Sequence, residues 1–151
     1  MSVLLCVVVG RAVWCVTQLH DVVYIVCRSS TIIRFDAVTR QRLTDIRVEG
    51  LSHPRDIAAC EHTSNVYVAD VKESVWRVSL DGEDVKLWLQ WLPLDTFSPH
   101  KLSVTSSRLL VTSRDTNQLR QFDAVGDELR RVDLDDMEPH HAGVADRNIH
   151  C

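Results

Sequence analysis

The sequence predicts an all-β chain, a partial β-propeller of about three four-stranded antiparallel blades with partial flanking strands. Three recurrences carry this expectation. The run Val22-Val23-Tyr24-Ile25-Val26-Cys27 returns as Val66-Tyr67-Val68-Ala69-Asp70 and again as Leu109-Leu110-Val111-Thr112-Ser113, with steps of 43 residues from Tyr24 to Tyr67 and from Tyr67 to Leu110. Each run leads through a polar loop into a second strand-like segment: Ile32-Ile33-Arg34-Phe35-Asp36, Val75-Trp76-Arg77-Val78-Ser79 and Leu119-Arg120-Gln121-Phe122-Asp123. A third marker recurs as Pro54-Arg55-Asp56-Ile57-Ala58, Pro99-His100-Lys101-Leu102-Ser103 and Pro139-His140-His141-Ala142-Gly143. Self-similarity at this period, with four short strands per unit and no helical periodicity, is the signature of propeller blades.

The units fall at about 12–50, 51–95 and 96–136, with a partial fourth over 137–151. Ahead of them, Val3 to Val9 is continuously apolar. It lacks the basic start and small-residue cleavage site of a signal peptide and is far shorter than the roughly 20 residues of a membrane span, so it reads as a buried strand. In the second unit the strands are expected over Ile57–Cys60, Val66–Ala69, Val75–Leu80 and Val85–Leu89, with Asp81-Gly82 as a tight hairpin turn. The equivalent bends are Val38-Thr39-Arg40 and Val125-Gly126-Asp127. The central runs are apolar at nearly every position, as in strands covered on both faces. Trp76 and Trp88 are expected to wedge between blades.

Composition sets the class. With 45% hydrophobic and 25% charged residues the chain reads as an ordinary soluble globular protein, and a net charge of -4 gives no global attraction to nucleic acid or anionic membrane. The five cysteines are odd in number, lack CxxC spacing and sit mostly in apolar runs. They read as reduced core thiols of a cytoplasmic protein.

The order Pro-x-x-Ile-Ala, then Val-Tyr-Val-Ala-Asp, a short polar loop, then apolar-x-x-Phe-Asp resembles the NHL repeat of six-bladed, TolB-like propellers. The second unit, Pro54 to Ser79, matches most fully, and the resemblance covers about Ala12 to Ala145. Ser113 stands where the second unit has Asp70, and Leu110 where it has Tyr67. The resemblance implies a blade fold and a tendency toward protein or RNA binding. It also implies a ring of roughly six blades. The three units here therefore read as a fragment of a longer propeller, or as a half ring that self-associates through its terminal blades.

Because propeller strands alternate in direction, loops after the second and fourth strands share one face. That face collects the candidate partner-binding residues Arg28, Arg55, Lys72, His100, Lys101, Arg114, His140 and His141. The opposite face receives Glu61, the Asp81-Gly82-Glu83-Asp84 run and Asp127-Glu128, with Arg40 and Arg42 as exceptions. The expectation is a non-enzymatic interaction module that binds a protein or peptide through the relatively basic face, with no cofactor and no membrane contact. Single-stranded RNA on the same face is the alternative, set second because Phe97 is the one obvious aromatic near those loops.

A fragment of a metal-dependent lactonase or hydrolase propeller is the alternative of a different class. Asp70, Asp115 and Asn117 are scattered candidates for it, and Ser98, His100 and Asp95 assemble a triad on paper only. No metal site is expected, since the histidines lack HxxxH spacing. Asp70 is expected instead to satisfy backbone donors in the turn that follows it.

Overall fold

A computed structural model describes residues 13–91, 93–113 and 115–134. The apolar run Val3–Val9 and the partial fourth unit over 137–151 lie outside the described residues. Twelve strands form three separate four-stranded antiparallel sheets, each a meander in chain order. The first blade holds β1 (Cys15–Leu19), β2 (Val22–Val26), β3 (Thr31–Asp36) and β4 (Ile46–Arg47). The second holds β5 (Pro54–Cys60), β6 (Asn65–Asp70), β7 (Ser74–Ser79) and β8 (Val85–Gln90). The third holds β9 (Pro99–Thr105), β10 (Arg108–Ser113), β11 (Gln118–Phe122) and β12 (Glu128–Asp133).

The blades are stacked face to face, with β5 packed against both β1 and β9. One core joins Tyr24, Val26 and Ile32 of the first blade to Ile57, Val66, Val68 and Val78 of the second. Another joins Tyr67, Ala69 and Val75 of the second to Leu102, Leu109, Val111 and Phe122 of the third. Successive residues of a strand point to opposite sides, so β6 serves both cores: Val66 and Val68 belong to the first, Tyr67 and Ala69 to the second. That is why its sequence is apolar without alternation. A third buried cluster, Val23, Ile25, Cys27, Ile33 and Phe35, lies on the side of the first blade away from the second.

Trp76 and Trp88 sit at blade boundaries. Trp76 packs with the first core, and its ring lies 3.1 Å from where a Cβ on Gly50 would stand. Trp88 lies 4.9 Å from the Tyr67 ring and 6.4 Å from that of Phe122. The outermost strands are less buried, with β8 and β12 largely half-buried or exposed. β4 is only two residues long. Ahead of it the chain pairs at a single Phe35–Arg42 bridge, and Arg42 turns to grip Asp45 instead of extending the ladder.

Candidate partner-binding face

Backbone hydrogen bonds establish which loops share a face. The Val48 amide donates to the Ser30 carbonyl, Val71 to His53 and Trp91 to Glu73, so the β2–β3 type turns lie beside the segments that link one blade to the next. On the opposite face, Ala37 donates to Asp21 and Leu80 to Ser64. Arg28 and Lys72 are exposed in turns of the first face, while Arg55, His100 and Lys101 are half-buried where its inner strands begin. Arg114, His140 and His141 lie outside the described residues.

The inner strands are in matching register. Cys15, Asp56 and Lys101 pair with Val26, Ala69 and Thr112, which are equivalent positions of β2, β6 and β10. The residues just before them, Trp14, Arg55 and His100, therefore form a row across three neighbouring blades. In the second and third blades that residue is the extra one of a β-bulge, since Pro54 pairs with Asp70 and Asp56 with Ala69, and Pro99 with Ser113 and Lys101 with Thr112. Bulges re-aim a side chain at the rim of a sheet. The Arg55 Nε is buried and has no hydrogen-bond partner among the described residues. Trp14 is 49% exposed, and the Arg28 guanidinium lies 4.9 Å above its ring.

Sequence reasoning missed Trp14, because the first blade lacks the proline marker that flags the start of β5 and β9. Counting back from Cys15 by register would have found it. Phe97, the aromatic expected on this face, is 0% exposed and lies beneath Arg120, so it offers partners no surface.

Two buried carboxylates build the floor of this face. Asp70 accepts hydrogen bonds from the amides of Ser52 (3.0 Å) and His53 (2.9 Å). These donors precede it by 18 and 17 residues, which corrects the expectation of donors in the following turn: the carboxylate ties the linking segment down onto its own blade. In the third blade Ser113 does the same work, with its hydroxyl accepting from the amides of Ser98 and Thr116. Asp56 accepts from the Leu102 amide (2.8 Å) and from the Cys15 thiol (3.1 Å), so one side chain joins all three blades. Burial, with the Asp56 hydrogen bond and negative charge added, pushes the Cys15 thiol up to about 12, partly offset by the positive charge of Lys101.

Among the groups considered for chemistry, Asp95 is paired with Arg120. Asp70 is fully buried, and among the described residues no group of three or more His, Cys, Asp or Glu side chains is placed to hold a metal ion.

No family model matches this sequence, and no curated protein matches it. Among solved structures it is similar to the WD40 repeats of RRP9, at 12% identity over 80% of this chain and 38% of that one, with a TM-score of 0.68. It is similar to a chain of a nidogen/laminin complex, at 15% identity over 79% of this chain and 47% of that one, with a TM-score of 0.65. The computationally designed Ika4 protein matches at 17% identity over 82% of this chain and 73% of that one, with a TM-score of 0.64. The chain spans 35% to 47% of the first solved structures it matches. These likenesses show the fold, a β-propeller type built of repeated blades.

Proposed function

We propose that the chain is a non-catalytic interaction module of NHL-like propeller type, which binds an acidic protein segment across the row Trp14, Arg55 and His100. One observation carries this reading: three neighbouring inner strands place these side chains at the same register position, with Arg28 over the indole and Lys101 beside His100. Guanidinium and ammonium groups pair with carboxylates, and Arg28, Arg55 and Lys101 bring three such cations to this row. Cytoplasmic location and membership of a longer propeller belong to the same proposal.

The exposed indole gives single-stranded RNA a specific argument as second reading, since bases stack on such rings. Fluorescence anisotropy with a labelled octaglutamate peptide and with a labelled oligouridylate separates the two. The proposal expects the peptide to bind and Arg55→Glu with Lys101→Glu to abolish binding. Binding of the oligouridylate alone, weakened by Trp14→Ala and falling steeply with salt, would move the function to RNA.

A further inference from the structure

The turn into the outer strand of the first blade departs from its counterparts in charge and in pairing. It carries Arg40 and Arg42 where the second blade has Asp81, Glu83 and Asp84 and the third has Asp127. β8 and β12 each run for six residues, with pairing interrupted by one bulge. In the first blade the ladder stops at the Phe35–Arg42 bridge and resumes where Ile46 pairs with Ile32. Residues 43–45 between them belong to no strand, and over 40–45 every residue is exposed except the half-buried Leu43.

Thr44 lies in this gap. Its side chain is exposed and bonded to no other described group. Other hydroxyls near turns are in use: Ser29 bonds with the backbone of Thr31, Thr39 accepts from the Gln41 amide, and Ser79 donates to Asp81 while accepting from the Asp84 amide. Arg40 and Arg42 precede Thr44 by four and two residues. Arg42 is paired with Asp45 at 3.0 Å, but the pair is exposed and such pairs contribute little, so the guanidinium is released at small cost. Arg34 is a third cation at the site, its Nε donating to the Thr44 carbonyl at 3.0 Å.

A protein kinase takes an extended segment whose hydroxyl is free, and carboxylates beside its cleft select substrates by pairing with their cations. The stretch from Arg40 to Asp45 meets both demands. The matching stretches of β8 and β12 are held in ladders.

We propose that Thr44 is a phosphorylation site for an arginine-directed protein kinase that uses ATP. The Thr44 Oγ1 attacks the γ-phosphorus; the Oγ1–P bond forms as the bond from phosphorus to the bridging oxygen of ADP breaks, and the hydroxyl proton passes to a carboxylate of the kinase. The product carries a charge of about −1.5 to −2 at pH 7, beside Arg34 and in competition with Asp45 for Arg42. The turn then becomes acidic, like its counterparts in the other two blades. The site lies on the outer rim of the first blade, away from the inner strands that carry Trp14, Arg55 and His100, and does not depend on what that row binds.

The test incubates the full chain with magnesium-ATP and a purified arginine-directed kinase, or with an acid-directed one, and maps the phosphate by tandem mass spectrometry. The proposal expects the arginine-directed enzyme to add one phosphate, on Thr44, and Thr44→Ala to abolish its incorporation. Arg40→Gln with Arg42→Gln should slow the initial rate at least about tenfold while leaving the melting temperature close to the original, because both side chains are exposed. Refusal of the folded chain by the arginine-directed enzyme, whether or not a synthetic peptide of residues 38–47 is accepted, would overturn the proposal. So would phosphate placed chiefly on another hydroxyl, a rate indifferent to the two arginines, or faster modification of Thr44 by the acid-directed enzyme.

Discussion

The Asp95 carboxylate holds the Arg120 guanidinium through paired hydrogen bonds of 2.7 and 3.0 Å, while the guanidinium lies 4.1 Å from the centre of the Phe97 ring. The arginine side chain is 4% exposed. This clamp fixes the segment leading into the third blade. Removing the acid leaves the buried cation with Glu128, 3.6 Å away, as its remaining carboxylate, so Asp95→Asn is expected to destabilise the fold by about 2 kcal/mol, below the range for fully buried pairs because Asp95 is partly exposed. Urea unfolding measures this.

The same pair sets an acid limit. The Arg120 hydrogen bonds hold the Asp95 carboxyl below the usual carboxylate range. A lowered folded value contributes stability that is present above the unfolded value, about 3.9, and is lost as pH falls through the folded one. Stability measured from pH 5 downward should therefore decline less steeply in Asp95→Asn than in the parent chain. Equal slopes would remove Asp95 from the account.

Cys15 sets the opposite limit. Its thiol, pushed from 9.0 to about 12, stays protonated in the folded chain while the unfolded thiol ionises. Its contribution is complete below the unfolded value and is lost as pH rises toward the folded one. Native Cys15 is expected to alkylate far more slowly at pH 9 than in urea, and Asp56→Ala, which removes the hydrogen-bond acceptor, should speed the native reaction. Mass spectrometry of iodoacetamide-treated protein reads both.

Asp70 and Ser113 occupy equivalent positions, and each accepts from the amide of the residue before a proline, His53 or Ser98. Asp70→Ala strands two donors and is expected to cost about 1–3 kcal/mol. Asp70→Ser should cost less, because the third blade already uses a hydroxyl there. Thermal unfolding ranks the two variants.

Gly82 sits at a φ of 79°, and a Cβ there would lie 2.8 Å from both Cγ1 and Cδ1 of Ile46 in the neighbouring blade. Gly82→Ala is therefore expected to destabilise by more than the roughly 1 kcal/mol of the backbone term alone. Ile46→Val in the same chain should recover part of the loss in a denaturation experiment.

The blade pattern was legible because strands covered on both sides must be apolar throughout, and the 43-residue step places Tyr24, Tyr67 and Leu110 opposite Arg34, Arg77 and Gln121 in the same register. The first blade's outer strand was harder to read, since it breaks after one bridge at Arg42. Charges on turns were also readable, as alternation of strand direction alone sorts Arg28 and Lys72 from Glu61 and Asp81. What hid was anything decided between blades. The pairing of Asp56 with both Cys15 and Leu102, and of Arg120 with Asp95, depends on packing across sheets, for which sequence spacing carries no signal. Trp14 hid for a simpler reason, the absence of a proline before β1.

The two oxygens of Asp56 reach in opposite directions around the array, one to Cys15 and one to the Leu102 amide. Blades of a repeat protein touch only their neighbours, so their melting can break into separate steps. A single carboxylate shared by three sheets works against that. Heated with Asp56 intact, the described blades should come apart as one transition; with Asp56→Ala, the outer sheets are free to let go at different temperatures.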